Sequence, residues 1–341
     1  MSSIHKRGSS WIVRWRDEQC NRQKSFRTKL EAQRFCVRLD VSPEVRQARI
    51  TVADLMQRYL ETVSVKKKGY RWEAIRLNKW MHEPFAAKRV DALEPDDIEN
   101  YMESRGIAAG TIRREYTLMA AVFNWGAKKK LISENPIRDI EKPQAPEHRE
   151  RIASQDDIER LLIASGWDGE STPRNDTEMT MAAFLFGCRT GMRSGEILRI
   201  EEAWVDGRVI HLPADATKTS SRRDVALSTD ALRILNLVRG AGREPRLFGL
   251  TDQVRDTLWR RLRDRAGLGP VIDSAGRVIE EGLNFHDSRA SFCTWAASPD
   301  PKTGAPRLDV LALARQTGHK NLRMLQRYYR ATAEEIAERL G

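Results

Sequence analysis

Four short stretches in the second half of the chain carry side chains suited to a phosphate diester. In RTGMRSGEILRI, Gly191 breaks one helix and Arg193 opens the next, with Glu196 one turn further on. An arginine placed there can aim its planar fork, held by Glu196, at an anion near a helix N-terminus. Read alone, the pair is also an ordinary structural salt bridge. In ATKTSSRRDVALS, Lys218 sits in a polar hairpin before a strand of alternating character, where it can reach outward or simply stay solvated. In NFHDSRASFCTWA, His286 and Arg289 are three residues apart and share a helical face. Such a pair can bond and clamp a phosphodiester, or be a buried histidine beside an unrelated surface arginine. In GHKNLRMLQRYYRA, Gly318-His319 ends one helix and Asn321-Leu322 begins the next, which carries Tyr328 and Tyr329. Adjacent helical positions differ by about 100° around the axis, so the two rings cannot enter one site: one faces the chemistry and the other packs.

Pooled, these stretches supply two arginines, a lysine, two histidines and a tyrosine, with no acidic cluster to hold magnesium. That set suits metal-free attack on a phosphodiester. The transition state gathers charge on the non-bridging oxygens, which two bidentate guanidiniums offset. A tyrosine of ordinary pKa, about 10, becomes a nucleophile once a neighbour accepts its proton. The departing sugar oxygen needs a proton, which a lysine on a mobile hairpin can deliver. The chain has six histidines, and none has a second histidine or a cysteine at ligand spacing. No metal and no cofactor are expected.

The elements that must position these groups can be read from pattern. Trp11 to Arg16 has strand composition, a polar turn follows, and Arg22 to Phe26 is the returning strand. Thr28 opens a helix with Glu31 as its capping-box partner. Such a small sheet backed by one helix can lay Arg14 and Arg16 in a DNA groove, or be a solvated basic hairpin. VSPEVRQARI reads as a linker. From Thr51 to about Ile140 the pattern is helical throughout, including TVADLMQRYLETV, RWEAIRLNKWM and EPDDIENYMESR. In TIRREYTLMAAVFNWGAKKK, Ile112, Tyr116, Met119 and Phe123 form one apolar stripe, leaving Arg113 and Arg114 off it. Lys128, Lys129 and Lys130 end that helix, where they suit either the helix dipole or a phosphate. EKPQAPEHRE is a second linker. Beyond it Ser154 and Asp157 cap a helix, a long apolar helix covers Met179 to Cys188, short strands fall at RVIHL and RRDVALS, and helices return to the end.

Composition sets the partner. The 341 residues carry a net charge of +11, and the pI is about 9.7. Lysines and arginines that neutralise phosphates release condensed counterions, so this excess points to nucleic acid. MSSIHKRGSS lacks the apolar core of a signal peptide, and MTMAAFLFGC is about half the length needed to span a bilayer. Cys20, Cys36, Cys188 and Cys293 are scattered, with no CxxC, and read as reduced thiols of a cytoplasmic protein. No membrane partner is expected.

At this point the chain resembles the tyrosine recombinases, and within them the phage-type integrases, over essentially its whole length. GMRSGE resembles the first arginine box, TKTSSRRDVAL the hairpin with the catalytic lysine, HDSR the H-x-x-R motif and GHKN the (L)GH box. The resemblance implies six catalytic residues: Arg193, Lys218, His286, Arg289, His319 and Tyr328. The nucleophile of the family lies nine residues after the GHKN histidine, which selects Tyr328 over Tyr329. It further implies a mainly α fold with small β elements (α+β). Residues 1–45 would be an arm-type DNA-binding domain with a small three-stranded sheet plus helix. Residues 51–142 would be a helical core-binding domain, and 150–341 a mixed, mostly helical catalytic domain. The implied activity is cleavage and rejoining of DNA through a 3′-phosphotyrosyl intermediate, integrating or excising a phage or other mobile element. The implied partners are double-stranded attachment-site DNA and a homotetramer on that DNA, with room for a DNA-bending accessory protein or directionality factor. The expected location is the cytoplasm, at the nucleoid. The TAEEIAERL segment is expected to dock on a neighbouring subunit or fold back on its own domain. Type IB topoisomerase-like cleavage and a non-catalytic DNA-binding regulator are the competing readings; the N-terminal DNA-reading unit argues against the first and the intact set of six against the second. Several positions depart from the family pattern. Thr317 replaces the leucine that usually precedes Gly-His, Ala226 replaces a proline, Ala290 stands where histidine is common, and SPDPKTGAPR is a longer loop than usual.

Overall fold

The computed structural model describes residues 2–8, 10–16, 21–40, 50–144, 151–217, 221–243, 245–329, 334 and 337. Lys218, Cys20, nearly all of VSPEVRQARI, the end of EKPQAPEHRE and most of TAEEIAERL lie outside them. The chain divides into two compact units, Met1–His148 and Arg149–Gly341.

The first unit opens with an antiparallel sheet in the order β1 (Ser2–Arg7), β2 (Ser10–Arg16), β3 (Asn21–Phe26). The strand composition of 11–16 and 22–26 is realised, and β1, which carries only one large apolar residue in SSIHKR, is an additional edge strand. Helix α1 (Lys29–Asp40) packs on this sheet through Ala32 and Cys36 against Val13. Its start is the expected capping box: Thr28 Oγ1 accepts from Glu31 N–H and Glu31 accepts from Thr28 N–H.

The rest of this unit is helical: α2 (Val52–Thr62), α3 (Tyr70–Trp80), α4 (Pro95–Glu103) and α5 (Ala109–Lys128). Thr51 and Asp54 form a capping box on α2. Tyr116, Met119 and Phe123 of α5 are buried with Leu55, Trp80 and Ile98 in one apolar core. Glu115, also buried, accepts ion pairs from Arg76 and Arg105, which offsets the cost of its burial.

The second unit is built around α7 (Asp176–Thr190). Every residue from Met179 to Cys188 on it is buried, so this helix is apolar on all sides and forms the centre of the core rather than one face of it. Around it lie α6 (Gln155–Ser165), α9 (Thr229–Arg239), α10 (Asp252–Arg265) and α11 (Asp287–Ala297). The short helix α8 (Ser194–Ile197) follows α7 directly. A three-stranded antiparallel sheet, β4 (Val205–Asp206), β5 (Val209–Leu212) and β6 (Arg223–Ala226), contributes Ile210, Leu212 and Val225 to the same core. A two-stranded hairpin, β7 (Val271–Ile272) and β8 (Val278–Glu280), precedes α11. Helix α12 (Val310–Thr317) and the single turn α13 (Arg323–Gln326) close the unit, packing on α11 through Phe292, Cys293, Leu313 and Leu325.

Among the described residues no helix is long and apolar enough to cross a membrane. Among them, too, no group of three or more histidine, cysteine or acidic side chains is placed to hold a metal ion.

Candidate active site

Two glycines shape the site. Gly191 caps α7 at φ 66° and Gly318 caps α12 at φ 71°, both in the left-handed region that other residues avoid. Space forbids a side chain as well. A Cβ on Gly191 would lie 2.4 Å from Phe292 Cδ1, and one on Gly318 would lie 2.1 Å from Arg223 Nη1. The two helix ends therefore approach closely, and the Gly191 and Gly318 carbonyls both accept from arginines.

Arginines collect on those carbonyls. Arg193 sits at the N-cap of α8, where its N–H donates to Glu196 Oε2 (2.9 Å) and its Nη1 to Glu196 Oε1 (3.0 Å). Its Nη2 donates to the Gly318 carbonyl (3.2 Å). Arg289, only 4% exposed on α11, donates through Nη1 to the carbonyls of Gly191 and Thr317, both at 2.7 Å. Its Nη2 lies 3.1 Å from His319 Nε2 and 3.3 Å from Nδ1. Burial, and after it Arg193, lowers the Arg289 pKa to about 10. The structure thus brings Arg193 and Arg289 together on adjacent carbonyls, with Glu196 paired to the first.

A third guanidinium belongs to the cluster and was not singled out from the sequence. Arg223 of β6 donates through Nη2 to Glu196 Oε2 (2.8 Å) and through Nη1 to the Thr317 carbonyl (2.5 Å). Its Nε is buried with no hydrogen-bond partner among the described residues. Burial lowers its pKa. The signal was present in the alternation of the strand: Val225 and Leu227 are buried, so Arg223 two residues earlier shares their inward face while Arg222 and Asp224 point out.

His319, following Gly318, is half-buried and carries a pKa lowered to about 3, first by burial and then by Arg289, Arg193, Arg327 and Arg223. His286 stands at the N-cap of α11, exposed, one turn before Arg289, whose N–H donates to the His286 carbonyl (3.1 Å). The tyrosines differ from the sequence reading in one respect. Helix α13 ends at Gln326, and both lie in the turn beyond it, their N–H groups bonding three residues back to Leu325 and Gln326. The rings still diverge. Tyr329 Oη donates to the Leu308 carbonyl (2.7 Å), while Tyr328 Oη accepts from Arg327 Nη2 (2.9 Å). Burial raises the Tyr328 pKa and Cys293 adds to it, while Arg327 and Arg289 oppose the rise. Burial takes Tyr329 higher, to about 12.

A cleft of about 490 Å³ opens on this cluster, lined among others by Arg222, Arg223, Arg315, His319 and Lys320. Thr217 and Ser221, the described residues at the two ends of the stretch 218–220, also line it. Thr217 Oγ1 accepts from the Ser221 N–H (3.1 Å), drawing those ends together.

The comparisons with known proteins now bear on this geometry. Residues 153–335 match the model of the phage integrase family. A putative integrase/recombinase of Haemophilus influenzae is 30% identical, over 97% of this chain and 87% of its own length. The chain belongs to the phage integrase family. It is a site-specific DNA recombinase of the tyrosine type. Other integrase-family relatives agree: the shufflon-specific DNA recombinase of Escherichia coli is 28% identical over 88% of this chain and 73% of its own length. The fold is shared with the Tn1549 transposon integrase solved in complex with circular intermediate DNA, at TM-score 0.63 and 17% identity over 86% of this chain and 99% of that one. It is shared also with a lambda integrase solved as a tetramer bound to a Holliday junction, at TM-score 0.59 and 16% identity over 93% and 95% of the chains. The mainly α architecture with small β elements is therefore that of integrases. All six residues singled out above fall within the matched segment 153–335.

The residues read as DNA contacts lie in the other unit. Arg14 is exposed on the central strand β2, and Arg16 closes that strand. Arg113 is half-buried and donates to the Pro143 carbonyl, tying α5 to the segment that leaves it. Arg114 folds back on its own helix, its Nε on the Gly110 carbonyl (3.2 Å). Lys128 and Lys129 are exposed at the C-terminal end of α5.

Proposed function

We propose that Tyr328 attacks the scissile phosphate of a DNA attachment site, with Arg193 and Arg289 clamping its non-bridging oxygens and His319 assisting them. The Tyr328 oxygen forms a bond to phosphorus while the bond to the 5′ oxygen breaks. The tyrosine proton passes to a neighbouring base, with His286 assisting, and Lys218 protonates the departing 5′ oxygen. The product is a 3′-phosphotyrosyl link and a free 5′-hydroxyl. A 5′-hydroxyl from a partner duplex then reverses the step, so the bond energy is kept and no nucleotide cofactor is consumed. The single observation that carries this reading is the meeting of Arg193 and Arg289 on the adjacent carbonyls of Gly318 and Thr317. Two planar donors at one spot match the charge pattern of a phosphoryl transition state.

The remaining parts take matching roles. Residues 1–45 act as an arm-type DNA-binding domain through Arg14 and Arg16. Residues 51–142 grip the core site, with Arg113, Arg114, Lys128 and Lys129 toward the phosphates, and residues 150–341 hold the chemistry. Exchange needs two duplexes and is carried out by a homotetramer on DNA, joined where required by a DNA-bending or directionality factor, in the cytoplasm at the nucleoid. Incubating the protein with a nicked suicide duplex bearing the ends of its own element tests the reading. The trapped DNA must map to Tyr328; an adduct that persists in Tyr328→Phe rejects it.

A further inference from the structure

Thr317 stands where the family usually has leucine, and its hydroxyl does something leucine cannot. The side chain is wholly buried at the last turn of α12. Its Oγ1 lies 2.6 Å from the Leu313 carbonyl and 2.7 Å from His319 Nδ1. A hydroxyl has one proton and two lone pairs. Given to Leu313, that proton leaves Oγ1 only a lone pair to offer, so Nδ1 must carry the imidazole hydrogen. The opposite arrangement, with Nδ1 accepting the hydroxyl proton, gives up the 2.6 Å bond to the Leu313 carbonyl. Arg289 Nη2, which has no lone pair to offer, lies 3.1 Å from Nε2 and 3.3 Å from Nδ1. The short Leu313 bond and the nearer approach of Arg289 to Nε2 therefore both favour Nδ1–H.

We infer that Thr317 is a positioning residue that locks His319 as the Nδ1–H tautomer, making Nε2 the one ring atom that gains or loses a proton beside the phosphate clamp. The inference rests on the recombinase reading of this site and assigns how one member of the set is held. The charged groups facing the ring are Arg289 of α11, Arg193 at the head of α8, Arg223 of β6 and Arg327 after α13, with Lys320 next in the chain and Glu196 behind Arg193 and Arg223. In the DNA-free protein these cations keep the ring neutral, in line with its lowered pKa. A phosphate diester arriving between Arg193 and Arg289 offsets them. Nε2 then takes up a proton and becomes a donor to the phosphate oxygen, while Nδ1–H stays on Thr317. A ring free to flip its tautomer would present the wrong atom in part of the population.

The test uses the full chain, with Thr317→Val removing the acceptor at nearly constant shape and Thr317→Ser keeping it. Histidine-selective ¹⁵N spectra of DNA-free protein report the tautomer, with His319 assigned by its loss in His319→Gln. The wild type and Thr317→Ser should show Nδ1 protonated, and Thr317→Val should lose that preference. On the suicide duplex, the rate of covalent-complex formation in Thr317→Val should fall about tenfold with a shifted pH profile, and Thr317→Ser should restore both. An Nε2–H signal in the wild type overturns the inference, as does a Thr317→Val protein with unchanged tautomer and pH profile. A wild type that forms no adduct at all sinks the recombinase reading instead, while the spectra still judge the Thr317–His319 bond.

Discussion

Arg193 and Arg289, ninety-six positions apart in the chain, donate to consecutive peptide carbonyls: Arg193 Nη2 to Gly318 at 3.2 Å and Arg289 Nη1 to Thr317 at 2.7 Å. Each guanidinium spends some of its donors on backbone, and a planar five-donor group has others left for the phosphate proposed above. Lysine keeps the charge and loses the fork. Arg193→Lys and Arg289→Lys should therefore bind duplex DNA with affinity near the wild type in gel shifts. Their rate of covalent-complex formation should drop by about 10² or more, the usual cost of deleting one oriented donor to a transition-state oxyanion.

Tyr328 and Tyr329 part company through their hydroxyls, one accepting from Arg327 and the other donating to the Leu308 carbonyl. Tyr328→Phe should abolish the covalent protein–DNA complex. Tyr329→Phe should still form it, with stability reduced by about 1 kcal/mol for one lost hydrogen bond, as read from urea denaturation.

Much of this site was legible in the sequence because helix punctuation is local. Gly191, Gly318, the Arg193–Glu196 pair and the capping boxes at Thr28 and Ser154 each follow from neighbours within four residues. What escaped depends on distance. Arg223 owes its place to Glu196 and Thr317, twenty-seven and ninety-four positions away, and only the strand alternation hinted at its inward face. The tyrosines sit in a turn because α13 is a single turn long, and no capping residue announces its end. The first strand, SSIHKR, is largely polar because it lies at a sheet edge, so composition alone did not mark it.

Arg223 ties β6 to the site, its guanidinium shared between the 2%-exposed Glu196 and the Thr317 carbonyl. Removing one partner of a buried pair leaves the other desolvated and only partly compensated, here by Arg193. Arg223→Gln should lower unfolding free energy by about 3 kcal/mol. Exposed Arg222→Gln next to it should stay within about 0.5 kcal/mol. Urea midpoints of the two variants make the comparison.

The two glycines should not respond alike to alanine. Both sit at positive φ, which costs an alanine about 1–2 kcal/mol. At Gly318 the new methyl meets the Arg223 guanidinium, which can move only by leaving Glu196 and the Thr317 carbonyl. At Gly191 it meets the ring of Phe292 and Thr317 Cγ2, both fixed in the core. Gly191→Ala should thus add an overpacking cost of about 1–3 kcal/mol to the strain while leaving Arg223 on Glu196, as read from urea denaturation. Gly318→Ala should instead lose about as much stability again as Arg223→Gln does, and cleave the suicide duplex more slowly, because Arg223 has been displaced.

His319 also leaves a mark on stability against pH. Its pKa is lowered from 6.5 in the unfolded chain to about 3 in the fold. Between those values the unfolded state binds the proton and the native state does not, so unfolding takes up a proton and stability falls as the solution is acidified. The contribution is whole above about pH 6.5, is lost progressively down to about pH 3, and is damped because the ring is partly exposed. In His319→Gln this slope is absent. Chemical denaturation of the two proteins at pH 7 and again near pH 4.5 should show the wild type losing more stability than the variant. Parallel losses would mean that the ring is already protonated within the arginine cluster and that its neutral form is not what the fold selects.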